Sequence, residues 1–290
     1  MVGTLNVNPM NVNGMTTTRL LLTAWDFEWS VILGCVLILV LYLGKARADL
    51  WQRICFAAGI GILFLSLQSP LDALGDTYLF SAHMAQHLLL ILLVPPLFVL
   101  GISETEARSW LKIKWIAKTE CVLSNPYVAW CAGVATMTVW HVPALYNFAL
   151  SHEPAHIFQH LSFFVTATIF WWPVLHPLPE RRLHTGAAVA YLFAAAAENS
   201  VLGIVLTFMH VGHYPAYLHP RDDLGALDLI RNRWGISAAQ DQRLGGLLMW
   251  VPGCSVYFVA ILAIIGQWYA RPDSEEDLGS IVMATERGLQ

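Results

Sequence analysis

The chain has 290 residues, of which 57% are hydrophobic and only 12% are charged. A water-soluble core of this length cannot bury so much apolar surface, so the composition excludes a soluble globular protein and indicates an integral membrane protein. The net charge is −4 and the sequence has no basic stripe or arginine-rich tract, which excludes a nucleic-acid partner.

Seven apolar stretches follow an N-terminal segment rich in Asn and Thr. We interpret residues 1–24 as a polar N-terminal tail. Each later stretch approaches the length of about 20 apolar residues that crosses a bilayer. Helices are expected, because every backbone polar group in hydrocarbon needs an internal partner. The predicted spans are 26–43, 52–68, 79–100, 127–144, 156–175, 186–209 and 244–269.

The sequence therefore predicts an all-α, polytopic membrane protein, with a bundle of about seven transmembrane helices forming one domain over residues 25–270. A long outer loop at 210–243 joins the last two spans. Loops of this length are usually functional or disordered. We expect this one to fold partly onto the outer face, with a short helix before the last span. Residues 271–290 are predicted to be a cytoplasmic C-terminal tail.

Lysine and arginine set the predicted orientation. Eleven of them lie in the loops after spans one, three and five and in the C-terminal tail, whereas five lie on the other side. The two short outer loops, 69–78 and 145–155, contain none. By the positive-inside rule, the N-terminus is outside and the C-terminus is in the cytoplasm.

Nine of the eleven histidines then fall on the outer side, and three pairs are four residues apart. Only about 0.4 such pairs would be expected from random placement. Residues four apart lie on one helix face, about 5 to 6 Å from each other, and can share an ion. Polar groups in a span are costly and usually mark a site. We therefore predict a metal site at the outer face, with His83, His87, His141, His156 and His160 as ligands.

Three further side chains are candidate metal ligands, namely Met84, Met249 and Asp241. Imidazole combined with thioether, and without a cysteine cluster, favours copper ahead of zinc. Within span six, Glu198 is either a proton or ion relay below the histidines or a partner in a helix-to-helix hydrogen bond. We also predict that Gln86, Gln159 and Gln242 form hydrogen bonds to the imidazoles and orient them.

Four short motifs occur in a defined order between residues 25 and 270. They are His83-Met84-Ala85-Gln86-His87, Trp140-His141-Val142-Pro143, His156 to His160, and Asp241-Gln242-Arg243-Leu244-Gly245-Gly246 followed by Met249-Trp250. In combination they resemble the multi-pass CtaG-type cytochrome c oxidase assembly factors. The chain departs from the family pattern at Gln159, where the family has an acid.

The resemblance implies a multi-pass protein of the bacterial plasma (inner) membrane that helps to assemble haem-copper oxidases by delivering or managing copper. Such a role needs no catalytic turnover, so we do not expect an enzyme. The expected partners are haem-copper oxidase subunits, a periplasmic copper donor and membrane lipid.

Two other classes of function stay open. A copper permease would need polar groups that continue through the bilayer, and Glu198 is the one strong candidate below the histidines. A membrane b-type haem protein would use opposed histidines as axial ligands. A hydrolase is disfavoured, since the sequence has no HExxH, GxSxG or nucleotide-binding loop.

Overall fold

A computed structural model describes residues 14–45 and 47–270, and every regular element in these two ranges is helical. The predicted C-terminal tail at 271–290 and the first 13 residues of the predicted N-terminal tail lie outside the described residues. The α-helices are α1 (Thr17–Thr23), α2 (Trp29–Lys45), α3 (Leu50–Gln68), α4 (Pro70–Thr77), α5 (Phe80–Leu88), α6 (Val94–Leu100), α7 (Glu104–Trp110), α8 (Lys114–Leu123), α9 (Pro126–Trp140), α10 (Pro143–Ser151), α11 (Glu153–Leu175), α12 (Thr185–Phe208) and α13 (Ala238–Tyr269).

Five helical segments are long and apolar enough to cross a membrane. They are α3, the segment Phe80–Leu100, α11, α12 and α13. The helices α9 and α10 make a sixth span if they are read as one segment, which is bent by 75°. The predicted first span coincides with α2, which is apolar but shorter. The all-α fold is thus confirmed, with five or six candidate spans.

The third predicted span is a broken helix. A π-helical turn at Leu89–Leu93 separates α5 from α6. Pro95 and Pro96 follow this turn and lack the backbone N–H groups that would continue the α-helical ladder. The wider π-helical turn accommodates the loss of these backbone hydrogen bonds. Such turns inside helices frequently occur at functional sites.

Part of the predicted N-terminal tail is structured. Residues 17–23 form α1, and the Oγ1 atom of Thr16 accepts a hydrogen bond from the backbone N–H of Arg19 at 3.2 Å. Leu20 is completely buried and belongs to an apolar cluster with Leu74 of α4 and Ile230 of the long loop. The tail interpretation is therefore wrong for α1, because one apolar side chain anchors this helix to the bundle.

Glycines bring the backbones of α12 and α13 together. A Cβ atom at Gly246 would lie 2.4 Å from the backbone nitrogen of Thr207, and one at Gly203 would lie 2.6 Å from that of Trp250. Asn199 adds an interhelical hydrogen bond, since its Nδ2 atom donates to the carbonyl oxygen of Met249 at 2.6 Å. Close backbone approach and such bonds hold helices together in lipid, where apolar burial gives little driving force.

The long loop folds over one end of the bundle, as expected from its length. The connection between α12 and α13 is shorter than predicted, because α13 begins at Ala238. It contains a 3-10 turn at Pro215–Tyr217 and a π-helical turn at Leu229–Arg233. The Tyr217 hydroxyl donates to the carbonyl of Gly75 at 2.8 Å, and the Tyr214 hydroxyl donates to that of His141 at 2.8 Å. These bonds tie the loop to α4 and α9.

A buried charged network stabilises the end of the bundle opposite the long loop. His176, directly after α11, lies with its Nε2 atom 3.0 Å from the carboxylate of Glu120 on α8, and Arg181 pairs with the same carboxylate. Burial opposes the charged carboxylate, but hydrogen bonds from Arg181 and His176 outweigh it and hold the pKa of Glu120 below its ordinary value. The network joins α8 to the turn between α11 and α12.

Replacing Gly246 with alanine tests the close approach of α12 and α13. The added methyl group would overlap the backbone of Thr207, so we expect Gly246→Ala to destabilise the protein by about 1 to 3 kcal/mol, as overpacking does. Thermal unfolding in detergent measures this. Gly61→Ala on α3 is the control, because a Cβ there meets no atom within 4 Å. Equal unfolding midpoints for the two variants would contradict the packing described.

Candidate metal centre

Five histidines meet at the end of the bundle that the long loop covers. His83 and His87 lie on α5, His141 directly follows α9, and His156 and His160 lie on α11. Their ring centroids are separated by 4.3 Å (83 to 87), 4.2 Å (156 to 160), 5.3 Å (83 to 156), 5.5 Å (87 to 160) and 5.5 Å (87 to 141). The structure thus brings together all five predicted histidines, which we call the histidine cluster.

Local sequence explains how each histidine reaches the cluster. The four-residue steps on α5 and α11 stack each pair of imidazoles on one helix face. His141 ends α9, since Pro143 opens α10 and the chain bends by 75° between the two helices. The Nδ1 atom of His141 lies 2.6 Å from the carbonyl oxygen of Met137. Because a carbonyl only accepts, Nδ1 carries the hydrogen and Nε2 keeps its lone pair.

The imidazoles are buried without protein partners. His83, His87 and His141 are at most 2% exposed. Within the part of the chain that the structure describes, both ring nitrogens of His83 and His87 have no hydrogen-bond partner, and neither do the buried Nε2 atoms of His141, His156 and His160. An unsatisfied buried polar group typically costs about 1 to 3 kcal/mol. Seven such nitrogens lie in one place, which makes the cluster a candidate ligand site.

The spacing of the nitrogens suits a metal ion. One nitrogen each from His83, His87 and His160 lie within 4.8 Å of one another. Around a tetrahedral ion with bonds of 2.0 to 2.1 Å, ligand nitrogens are about 3.3 Å apart. The three nitrogens are thus near the separation that one ion would require. Neutral imidazole binds copper, zinc, iron or nickel.

Asp76 on α4 is a member of the site that the sequence analysis missed. Its Oδ1 atom lies 3.4 Å from Nδ1 of His83, and its Oδ2 atom lies 3.5 Å from Nδ1 of His156. These three residues form a second group with ligand atoms within 4.8 Å of one another. A signal was present, since Asp72 and Asp76 are four residues apart in a segment without Lys or Arg.

Asp72 differs from Asp76 in its environment. Burial, with a further contribution from the Asp76 carboxylate, raises the pKa of Asp72 well above its ordinary value. Gln86 donates a hydrogen bond to it. Asp72 is thereby engaged with α5, whereas Asp76 turns toward the imidazoles.

Asp241 lies outside both groups. Its carboxylate oxygens accept hydrogen bonds from the backbone N–H of Phe80 at 2.8 Å, from that of Ser81 at 3.0 Å and from the Ser81 hydroxyl at 2.6 Å. The residue before α5, Leu79, has no side chain that can cap the helix. Asp241 therefore caps α5 from α13 and positions the helix that carries His83 and His87.

Met84 and Met249 are completely buried in the main apolar core. Met84 packs against α13, because a Cβ added at Gly245 would lie 3.1 Å from its Cγ atom. The structure shows both thioethers as packing residues, and a role as copper ligands stays a prediction.

The predicted imidazole-orienting role is wrong for Gln86 and Gln242 and stays a prediction for Gln159. Gln86 donates to the carbonyl of Ser66 at 2.9 Å and to Asp72, and Gln242 donates to the carbonyl of Met209 at 2.8 Å. The Nε2 atom of Gln159 has no partner among the described residues. The side-chain amides of Gln86 and Gln242 therefore join neighbouring helices, because backbone carbonyls at the end of a helix lack donors within that helix.

Glu198 lies below the histidine cluster. It accepts a hydrogen bond from Thr138 of α9 at 2.7 Å, so the helix-to-helix bond is observed. With Met137, Phe163 and Asn199, it also lines a cavity of about 20 Å³, enough for roughly one water molecule. Phe163 separates this cavity from the cluster, and its ring centroid lies 4.6 Å from that of His87. A relay role for Glu198 stays a prediction.

Three tyrosines close the cluster on the loop side. The ring of Tyr146 lies 5.3 Å from that of His83, and its hydroxyl is 2.7 Å from that of Tyr217. Burial raises the pKa of Tyr214 and Tyr217 well above the ordinary value, so both phenols stay protonated and donate to backbone carbonyls. The loop histidines, in contrast, are exposed, namely His210, His213 and His219.

Comparison with known proteins agrees with the resemblance carried by the motifs. A family model described as cytochrome c oxidase caa3 assembly factor matches residues 35–271. An uncharacterised protein of Mycobacterium bovis and one of Mycobacterium tuberculosis are each 25% identical over 281 residues, and one of Mycobacterium leprae is 23% identical over 275. The matches cover 87 to 89% of this chain but only 40 to 41% of the relatives. No solved structure matches the chain.

Removing the Asp241 carboxylate tests its role as a helix cap. Asp241→Ala leaves two backbone N–H groups of α5 without acceptors, so we expect a loss of about 1 to 3 kcal/mol in the free energy of unfolding. Thermal or denaturant unfolding measures it. Asp223→Ala, at an exposed position of the long loop, is the control. Equal stability of the two variants would show that α5 does not depend on this cap.

Proposed function

Because the chain belongs to the cytochrome c oxidase caa3 assembly factor family, we propose that it binds copper through the histidine cluster and assists metallation of the oxidase. The observation that supports this most strongly is the set of buried imidazole nitrogens without hydrogen-bond partners. Copper fits the donors, since imidazole and thioether are ligands of Cu(I) and no thiolate is involved.

Copper is the cargo in this proposal, so the protein must release what it binds. His83, His87 and His160 would form the deep copper position, with His141 beside it. Asp241 holds α5 in place and Met84 and Met249 pack behind it. A centre without a closed cysteine cage exchanges ligands readily, and handover to the client needs no catalytic turnover.

The membrane arrangement belongs to the same proposal. We place the protein in the bacterial plasma membrane with seven spans, including the shorter α2, the N-terminus outside and the C-terminus in the cytoplasm. The asymmetry of lysine and arginine supports this orientation. The histidine cluster then lies at the outer end of the bundle, beneath the long loop, on the side where a periplasmic donor could supply copper and oxidase subunits could receive it.

The double variant His83→Ala, His87→Ala tests the copper role. It removes two of the three imidazoles of the deep position, so we expect the purified protein to lose its bound Cu(I) and cells producing only this variant to assemble little active oxidase. Metal analysis and oxidase activity of the membranes measure the two effects.

The matched control for that experiment is His210→Ala, His213→Ala. These histidines are exposed in the long loop, so copper content and oxidase activity should match those of the unaltered protein. Unchanged copper binding together with normal oxidase assembly in the cluster variant would overturn the proposed function.

Cysteine labelling tests the orientation. Cys121 is exposed on α8, which the proposal places in the cytoplasm, so a membrane-impermeant maleimide should label it only after the cells are permeabilised. A cysteine introduced in the long loop, His213→Cys, should be labelled in intact cells. The reverse pattern would invert the proposed topology.

A further inference from the structure

The two groups of ligand atoms at the histidine cluster share one residue, His83, but differ in chemistry. The deep group of His83, His87 and His160 offers imidazole alone. The outer group adds the carboxylate of Asp76 to His83 and His156. The two groups therefore offer an ion different ligand chemistry.

The distances around Asp76 suit metal ligands better than hydrogen bonds. Its oxygens lie 3.4 Å and 3.5 Å from the nearest imidazole nitrogens of His83 and His156. Hydrogen bonds between nitrogen and oxygen are shorter, at 2.7 to 3.2 Å. Two ligands of one tetrahedral ion are about 3.3 Å apart, given bonds near 2.0 to 2.1 Å. The Asp76 carboxylate lies between α5 and α11, with one oxygen near an imidazole of each helix.

Exposure falls from the outer group to the deep group. The side chains of Asp76 and His156 are 32% and 15% exposed, whereas that of His83 is 1% exposed and His87 is completely buried. An ion arriving from solution therefore meets Asp76 and His156 first. His83 is the single residue common to both groups.

We propose that Asp76, His83 and His156 form a second, outer metal position that binds a divalent cation. Given the proposed copper function, this cation is Cu(II). The inference rests on the proposed function, since it divides the copper site into two positions. An anionic oxygen ligand offsets the larger charge of a divalent ion, whereas neutral imidazoles alone suit Cu(I).

Sharing His83 couples the two positions. A neutral imidazole has one lone pair for a metal, and Nδ1 of His83 faces Asp76. An ion in the outer position would hold His83 through Nδ1 and would use the one lone pair that an ion in the deep position would also need. The two positions therefore compete for this residue.

The test compares Asp76→Asn with His87→Ala in the purified full-length protein. The probes are Cu(II), followed by electron paramagnetic resonance, and Cu(I), followed by competition with a chromogenic chelator under anaerobic reducing conditions. We expect Asp76→Asn to weaken Cu(II) binding at least about tenfold, as loss of a metal-site partner does, with Cu(I) binding changed by less than about twofold. His87→Ala should do the reverse.

Two controls keep the result specific. Asp223→Asn, exposed on the loop at the same end of the bundle, should bind both ions normally. His156→Ala should reproduce Asp76→Asn, and unfolding midpoints should confirm that each variant is folded.

Three outcomes are distinguishable. Selective loss of Cu(II) binding in Asp76→Asn supports the outer position. Unchanged Cu(II) binding in that variant, or an equal effect of both variants on both ions, would overturn the inference while leaving a single copper site in place. If the unaltered protein binds neither ion, the proposed function itself fails.

Discussion

Imidazole nitrogens that water does not reach must find another partner, and this requirement shapes one whole end of the molecule. Five histidine rings pack within 4.2 to 5.8 Å of their neighbours, and the described protein atoms leave seven of their nitrogens unpaired. Apolar side chains of the same size would pack there without that penalty. In the function we propose, a metal ion is the partner of these nitrogens, because several imidazoles can share one ion.

The surrounding structure positions these rings. Asp241 reaches from α13 to cap α5, which carries His83 and His87. A proline-induced bend after α9 brings His141 inward, and the hydroxyl of Tyr214 holds its carbonyl oxygen. The close contact of α12 and α13 around Gly246 fixes the position of α13, the helix that carries Asp241. Stability and site geometry are therefore coupled, since the residues that join the helices also orient the centre.

Much of this could be predicted from the sequence, and the reasons for the failures are physical. Hydropathy located the helices, because spanning segments must be long and apolar, and the four-residue spacing found His83 with His87 and His156 with His160. Asp76 was missed, since its contact with α5 and α11 depends on tertiary packing. Asp241 has the residue type of a ligand, but its oxygens are used by backbone donors. The helical segment around Leu20 was hidden within a polar stretch, because a single buried leucine gives no periodic signal.

X-ray absorption spectroscopy of the copper-loaded protein would show whether the histidine cluster holds the ion, because it reports which atoms surround copper. We expect a copper shell dominated by imidazole nitrogen near about 2.0 Å, and the loss of that imidazole signal when His83 and His87 are replaced. Copper that does not stay bound to the purified protein, or a shell without imidazole, would contradict it.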